Sequence, residues 1–122
     1  MRVLIVLMAL LASSCAAPPP ERTGDPVELH GRTAGISQRC VSLRPTDSLR
    51  ASDTDPHTLI YGSGPVIWAN RLGQCAFAND DILVTEPTGS YLCQGDLVRS
   101  FDRSSHIPGP SCVLGDFVAY RR

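Results

Sequence analysis

The sequence predicts an all-β domain, a small disulfide-stapled barrel or sandwich of six to seven short strands. Three observations carry that expectation. Short runs rich in β-branched and aromatic residues recur roughly every ten residues, with Gly, Pro, Asp or Ser between them. No stretch beyond residue 15 sustains a 3.6-residue apolar repeat. Four cysteines, Cys40, Cys75, Cys93 and Cys112, are spread among the runs at spacings of 35, 18 and 19 residues.

The first strand begins at Cys40, where Cys-Val-Ser-Leu alternates at period two. Residues 58–61 (Thr-Leu-Ile-Tyr) and 66–69 (Val-Ile-Trp-Ala) flank Gly62-Ser63-Gly64-Pro65, a connection suited to a hairpin. Residues 81–85 form the next strand, ended by Glu86-Pro87-Thr88-Gly89-Ser90. Extended structure resumes at 91–93, and residues 96–101 alternate again. A loop over 104–111 leads into a last strand at 113–120, broken near Gly115. Between residues 72 and 80 the sequence allows a single helical turn, with Ala76, Phe77 and Ala78 packing inward.

The N-terminal part reads as an export signal. One arginine, Arg2, precedes an unbroken apolar run from Val3 to Ala12, and Ser13-Ser14-Cys15-Ala16 follows. Ten residues rise only about 15 Å as a helix, half of a bilayer core, so the run fits a signal-peptide core rather than a membrane span. Small residues directly before Cys15 match a bacterial lipoprotein signal, although Ala12 stands where leucine is usual. Residues 1–14 are therefore expected to be removed, leaving Cys15 acylated and membrane-anchored. Ala16 in place of aspartate points to the outer membrane, facing the periplasm. An ordinary secretory signal cut near Ala17 is the alternative. Residues 15–38, which include Pro18-Pro19-Pro20, are expected to form a solvated tether, and residues 39–122 the folded domain.

Composition narrows the function classes. The chain has eleven arginines, no lysine and a net charge of −1. Such a balance leaves no electrostatic footprint for nucleic acid. Fewer than a hundred residues remain for the domain, so its core is modest and covalent support is expected. An even number of cysteines in an exported chain, without a CxxC pair, reads as two disulfides rather than a metal site. Three pairings are possible. Local loop closure favours Cys40–Cys75 with Cys93–Cys112, each worth about 3 to 4 kcal/mol through the unfolded chain.

Several segments taken together resemble an uncharacterised family of small exported bacterial four-cysteine proteins, a domain of unknown function. They are Arg39-Cys40-Val41, the 55–61 segment Asp-Pro-His-Thr-Leu-Ile-Tyr, Asn70-Arg71-Leu72 before Cys75, Leu92-Cys93-Gln94-Gly95-Asp96, and the 109–117 segment from Gly109 to Phe117. The resemblance covers residues 39–119. Pro56-His57 departs from it, since relatives carry further charged residues there. It implies the architecture and no site.

Candidate chemistry is sparse. His30, His57 and His106 with Ser63, Ser104 or Ser105 contain the residue types of a hydrolase, but the serine at Tyr61-Gly62-Ser63-Gly64 lacks nucleophile-elbow spacing. Asp53, Asp55 and His57 alternate and, with Asp80-Asp81, offer oxygen ligands for a divalent cation; the simpler reading is a turn initiated by Asp55 at Pro56. Arg44, Arg50, Arg71, Arg99 and Arg103 would form a basic face opposite Asp96 and Asp102, or solvated cross-strand pairs. Trp68, Tyr61 and Tyr91 would line a groove, although Trp68 in so apolar a strand belongs in the core. The candidate recognition element is the proline-stiffened loop with Ser104, Ser105, His106 and Ile107, pinned by Cys112. The expected function is therefore non-enzymatic: an envelope lipoprotein without catalytic residues, metal or cofactor, binding an envelope protein or component. The alternatives are inhibition of an envelope-directed enzyme through the 104–111 loop, and a small hydrolase or metal-dependent enzyme.

Overall fold

The computed structural model describes residues 24–87 and 89–122, so Cys15 and the leader lie outside the described residues. Ten strands follow a 3₁₀ turn at Val27–Leu29: β1 (Thr33–Gln38), β2 (Cys40–Ser42), β3 (Leu49–Ala51), β4 (Thr58–Tyr61), β5 (Val66–Arg71), β6 (Ile82–Thr85), β7 (Tyr91–Cys93), β8 (Leu97–Phe101), β9 (Pro108–Val113) and β10 (Phe117–Arg121). All pairings are antiparallel. They build a five-stranded sheet ordered β1-β10-β5-β4-β3, a three-stranded sheet ordered β6-β8-β9, and the pair β2-β7. The all-β expectation holds, as a sandwich rather than a closed barrel.

The hairpin β4–β5 forms where β-branched and aromatic residues flank Gly62 and Gly64, both at positive φ (89° and 83°). Glycine adopts that backbone without steric penalty, and the turn needs it twice. β4 has all four of its residues buried. Leu59 and Tyr61 point into the main core with Val41, Ala51, Leu72, Phe77, Leu92, Val98, Cys112, Leu114 and Phe117. Ile60 points the other way, packing with Ile67, Ala69 and Leu29. The sheet is thus covered on one face by β2, β7, β8 and β9, and on the other by the 3₁₀ turn.

That second cover corrects the domain boundary. Residues 24–38 belong to the fold instead of forming a tether: Leu29 is buried, and β1 pairs with β10. The strand count exceeds six to seven because β1, β3 and β9 carry little apolar periodicity. Residues 72–81 make turns rather than a helical turn, with Phe77 buried and its N–H donating to the Pro56 carbonyl at 2.9 Å. The break at Gly115 is real. Its N–H donates to Asn70 Oδ1 and its carbonyl accepts from Asn70 Nδ2, both at 2.8 Å. A methyl group on residue 115 would lie 2.8 Å from the Arg71 carbonyl oxygen, so only glycine fits there. The chain crosses at this point from β9 to β10 and from one sheet to the other.

The disulfides are Cys40–Cys93 and Cys75–Cys112, which corrects the local pairing. Cys40 and Cys93 are direct partners across the β2–β7 ladder, and Cys75 reaches β9 from the segment after β5. Pairing by strand adjacency overrides pairing by sequence distance. Two bridges indicate an oxidising compartment and hence export.

Candidate functional site

The most distinctive surface is the outer face of β6-β8-β9. Leu83, Val98, Ser100 and Cys112 turn toward the core, which leaves Ile82 and Val84 of β6, Leu97, Arg99 and Phe101 of β8, and Val113 of β9 facing outward. The register places Ile82 opposite Phe101, Val84 opposite Arg99, and Leu97 opposite Val113. Val84 is 42% exposed and Val113 58%. Arg99 is the one charge within this apolar set, and it pairs with Glu86 at 3.3 Å.

The loop joining β8 to β9 continues this surface. It occupies residues 102–107, shorter than the expected 104–111, because Pro108 already begins β9. Asp102 organises it. Its Oδ1 accepts from the N–H groups of Ser104 (2.9 Å) and Ser105 (2.8 Å) and from Ser105 Oγ (3.0 Å). Its backbone closes the loop, donating to the Ile107 carbonyl and accepting from the His106 N–H. These bonds favour the charged form and hold the Asp102 carboxyl below its ordinary value, led by the Ser105 backbone bond. His106 is held at φ 58°, a left-handed conformation uncommon for a side-chain-bearing residue. Ile107 is left 65% exposed at the tip. Behind it, Ser100 Oγ donates to the Pro110 carbonyl at 2.9 Å, and Cys112 is bonded to Cys75. The tip is prearranged and presents one apolar side chain.

The other sequence-predicted groups serve the fold. Asp55 accepts from the His57 N–H (3.0 Å) and Thr58 Oγ1 (2.7 Å), so both of its oxygens are engaged in the turn before β4. His57 Nδ1 lies 3.0 Å from the Cys75 carbonyl, and the Asp53 N–H donates to Glu28 Oε1 at 2.8 Å. The Asp55 carboxylate is thereby spent on the turn and the His57 ring on the Cys75 carbonyl. Among the described residues no three His, Cys, Asp or Glu side chains converge as a metal site. His30 Nε2 sits 3.2 Å from the Asp25 carbonyl and His106 lies at the tip, so the histidines are anchored to separate segments. Ser63 occupies the exposed β4–β5 turn.

The arginines do not form one basic face against Asp96 and Asp102. Arg71 pairs with Asp25 at 3.4 Å, Arg50 donates to the Gly62 carbonyl, and Arg103 donates to the Asp80 carbonyl. Asp96 accepts from the Cys93 N–H at 2.7 Å, capping a turn as Asp102 does. Tyr61 and Trp68 pack with ring centroids 6.0 Å apart, and Tyr61 Oη bridges the Ser42 carbonyl and the Arg44 N–H. Tyr91 stands apart, exposed on β7. The apolar face on β6-β8-β9 escaped the sequence reading because Ile-Leu-Val at 82–84 is apolar throughout and shows no inward or outward sense.

No family model, curated protein or solved structure matches this chain.

Proposed function

We propose that this chain is an exported, non-enzymatic binding module of the bacterial cell envelope, anchored by lipid at Cys15 on the periplasmic side of the outer membrane. In this reading it recognises a protein partner through the outer face of β6-β8-β9 and the adjoining 102–107 tip. The observation that carries it is the outward-facing set of exposed Ile82, Val84 and Val113 with half-buried Leu97 and Phe101, beside the Arg99–Glu86 ion pair. Apolar clusters rimmed by polar groups are characteristic of protein-binding surfaces. The leader motif supports the anchor, the two disulfides support export, and the four-cysteine resemblance is compatible with both.

A photo-crosslinking residue at position 84 or 113, installed in the exporting cell, is expected to trap one discrete envelope protein. The same residue at Arg50, on the opposite sheet, is expected to trap none. Indiscriminate or absent adducts at 84 and 113 overturn the reading. Cys15→Ser is expected to move the protein out of the membrane fraction; unchanged fractionation removes the anchor.

A second reading, inhibition of an envelope-directed enzyme, is favoured by the Asp102-ordered 102–107 loop with Ile107 exposed beside it. Prearranged loops lose little conformational entropy on entering a cleft. Ile107→Asp separates the two. Loss of the adducts at 84 and 113 together with release of a trapped enzyme's activity supports inhibition, and adducts that persist support the plain binding module.

A further inference from the structure

β1 stands apart from every other sheet edge. It is the outermost strand of the five-stranded sheet, and all six of its residues, Thr-Ala-Gly-Ile-Ser-Gln, are exposed. It carries no charge, no proline and no covering segment among the described residues. The remaining edges are blunted by recognised devices. β3 has three residues and runs into Ser52 and Asp53, both tied to Glu28. β6 is flanked by Asp81 and by Glu86-Pro87, and β9 contains Pro108 and Pro110. β2 and β7 have three residues each and are cross-linked to one another.

The β1 ladder also has a built irregularity. Ala34 pairs with Tyr120 and Ser37 with Val118, so Gly35 and Ile36 together oppose Ala119. Such a bulge re-aims a side chain, and Ile36 is 88% exposed. Beside it a shallow concavity is lined by Gly35, Ile36, Ser37, Gln38, Ala119 and Arg121.

Charge around this edge is one-sided. Arg32 precedes β1, Arg121 pairs opposite Thr33, Arg122 follows it, and Arg39 lies at the far end. Among the described residues none of the four makes an ion pair. Arg32 and Arg122 both donate to carbonyls of the β4–β5 turn, at Pro65 (3.1 Å) and Gly64 (3.2 Å), which brings their guanidinium groups together. The Arg32 guanidinium is lowered from its usual value, first by desolvation and then by Arg122. Asp116, hydrogen-bonded by Ser37 Oγ, is the acid at the opposite end. A chain that is net acidic thus holds three arginines at the start of the one strand left unprotected among the described residues.

We infer that the edge of β1 docks an extended polypeptide segment, which adds as a further strand and carries acidic residues where it passes Arg32, Arg121 and Arg122. Main-chain hydrogen bonds along the edge supply affinity, Ile36 supplies an apolar anchor, and the arginines select sign and direction. A second copy of this chain is the poorer occupant, because antiparallel β1–β1 pairing carries Arg32 of one copy toward Arg39 of the other. This surface is separate from the β6-β8-β9 face.

The test uses the exported protein with both disulfides intact and two fluorescein-labelled peptides of alternating valine and threonine. One ends in three glutamates, the other in three lysines. Fluorescence anisotropy is expected to show the glutamate peptide binding at least about tenfold more tightly. Ile36→Pro and Arg121→Glu are each expected to weaken it by about fivefold or more, while Tyr91→Ser, at an exposed residue of β7, leaves it unchanged. β1 buries no side chain and Arg121, at the end of β10, is exposed, so these variants are expected to keep the parental circular dichroism; Arg121→Glu leaves β1 itself unaltered should Ile36→Pro disturb it. Equal binding of the two peptides, no binding of either, or indifference to Arg121→Glu overturns the inference. A concentration-dependent dimer in sedimentation that Ile36→Pro abolishes, without glutamate-peptide binding, assigns the edge to a second copy and also overturns it.

Discussion

The two halves of the sandwich hold together in different ways. In the five-stranded sheet, β4 is buried on both faces, between Phe117 and Leu92 on one side and Leu29 and Ile67 on the other. In the opposing half, β8 buries Val98 and Ser100 inward and leaves Leu97, Arg99 and Phe101 outward. Both disulfides involve this second half: Cys40–Cys93 joins β2 to β7, and Cys75–Cys112 holds β9. Neither includes a residue of β3, β4, β5 or β10. The contrast teaches that sulfur is placed where apolar burial is one-sided. A half stapled covalently can leave its outer face apolar and exposed, because that face is not needed for stability.

The contrast breaks most readily through the core. Phe117→Ala, at a fully buried residue of β10, is expected to cost about 3 to 5 kcal/mol in urea unfolding, whereas Phe101→Ala on the outer face costs under about 1 kcal/mol. Equal costs would show that both halves depend on burial alike. Replacing Cys75 and Cys112 together by serine opens a loop of 37 residues and is expected to cost about 4 kcal/mol. Hydrogen exchange sharpens that result: β8 and β9 amides should lose protection well before those of β4 and β5. Simultaneous loss in all four strands would mean a single cooperative unit.

Asn70→Ala tests the seam between the halves. Asn70 is fully buried and satisfies both backbone groups of Gly115, so its removal is expected to cost about 2 to 4 kcal/mol. Acid tests the tip. Asp102 has a lowered carboxyl value, so its ordering effect is complete above the ordinary 3.8 and is lost as pH falls through the lowered value. The amide resonances of Ser104 and Ser105 should shift through that range, and Asp102→Asn should abolish the shift. The smallest stability effect belongs to Val84→Asp, expected within about 0.5 kcal/mol of the parent in urea unfolding. That variant is expected to lose the envelope adduct captured from position 113.

Legibility followed local chemistry. The β4–β5 hairpin was readable because β-branched runs and paired glycines act within ten residues, and the interruption at Gly115 was readable for the same reason. β1 is silent in the sequence because Thr-Ala-Gly-Ile-Ser-Gln buries nothing, and the β10 ladder that supports it is remote in sequence. Leu29 reads as part of a tether because one leucine among polar residues has no periodicity, yet it packs with Ile60 and Ile67. The outer face was hidden for a related reason. In 97–101 each face carries a mixture, Leu-Arg-Phe on one and Val-Ser on the other, and the less apolar set proved to be inward.

Composition, turn residues and an even count of cysteines were enough to determine the β class, several strand positions and the need for covalent support, since each acts through neighbours in the chain. Cysteine partners, the inward face of each strand and the unprotected status of β1 were decided only by the tertiary arrangement. Those properties depend on which strands become adjacent, and adjacency across 37 to 53 residues is set by the collective packing of two sheets rather than by any local preference.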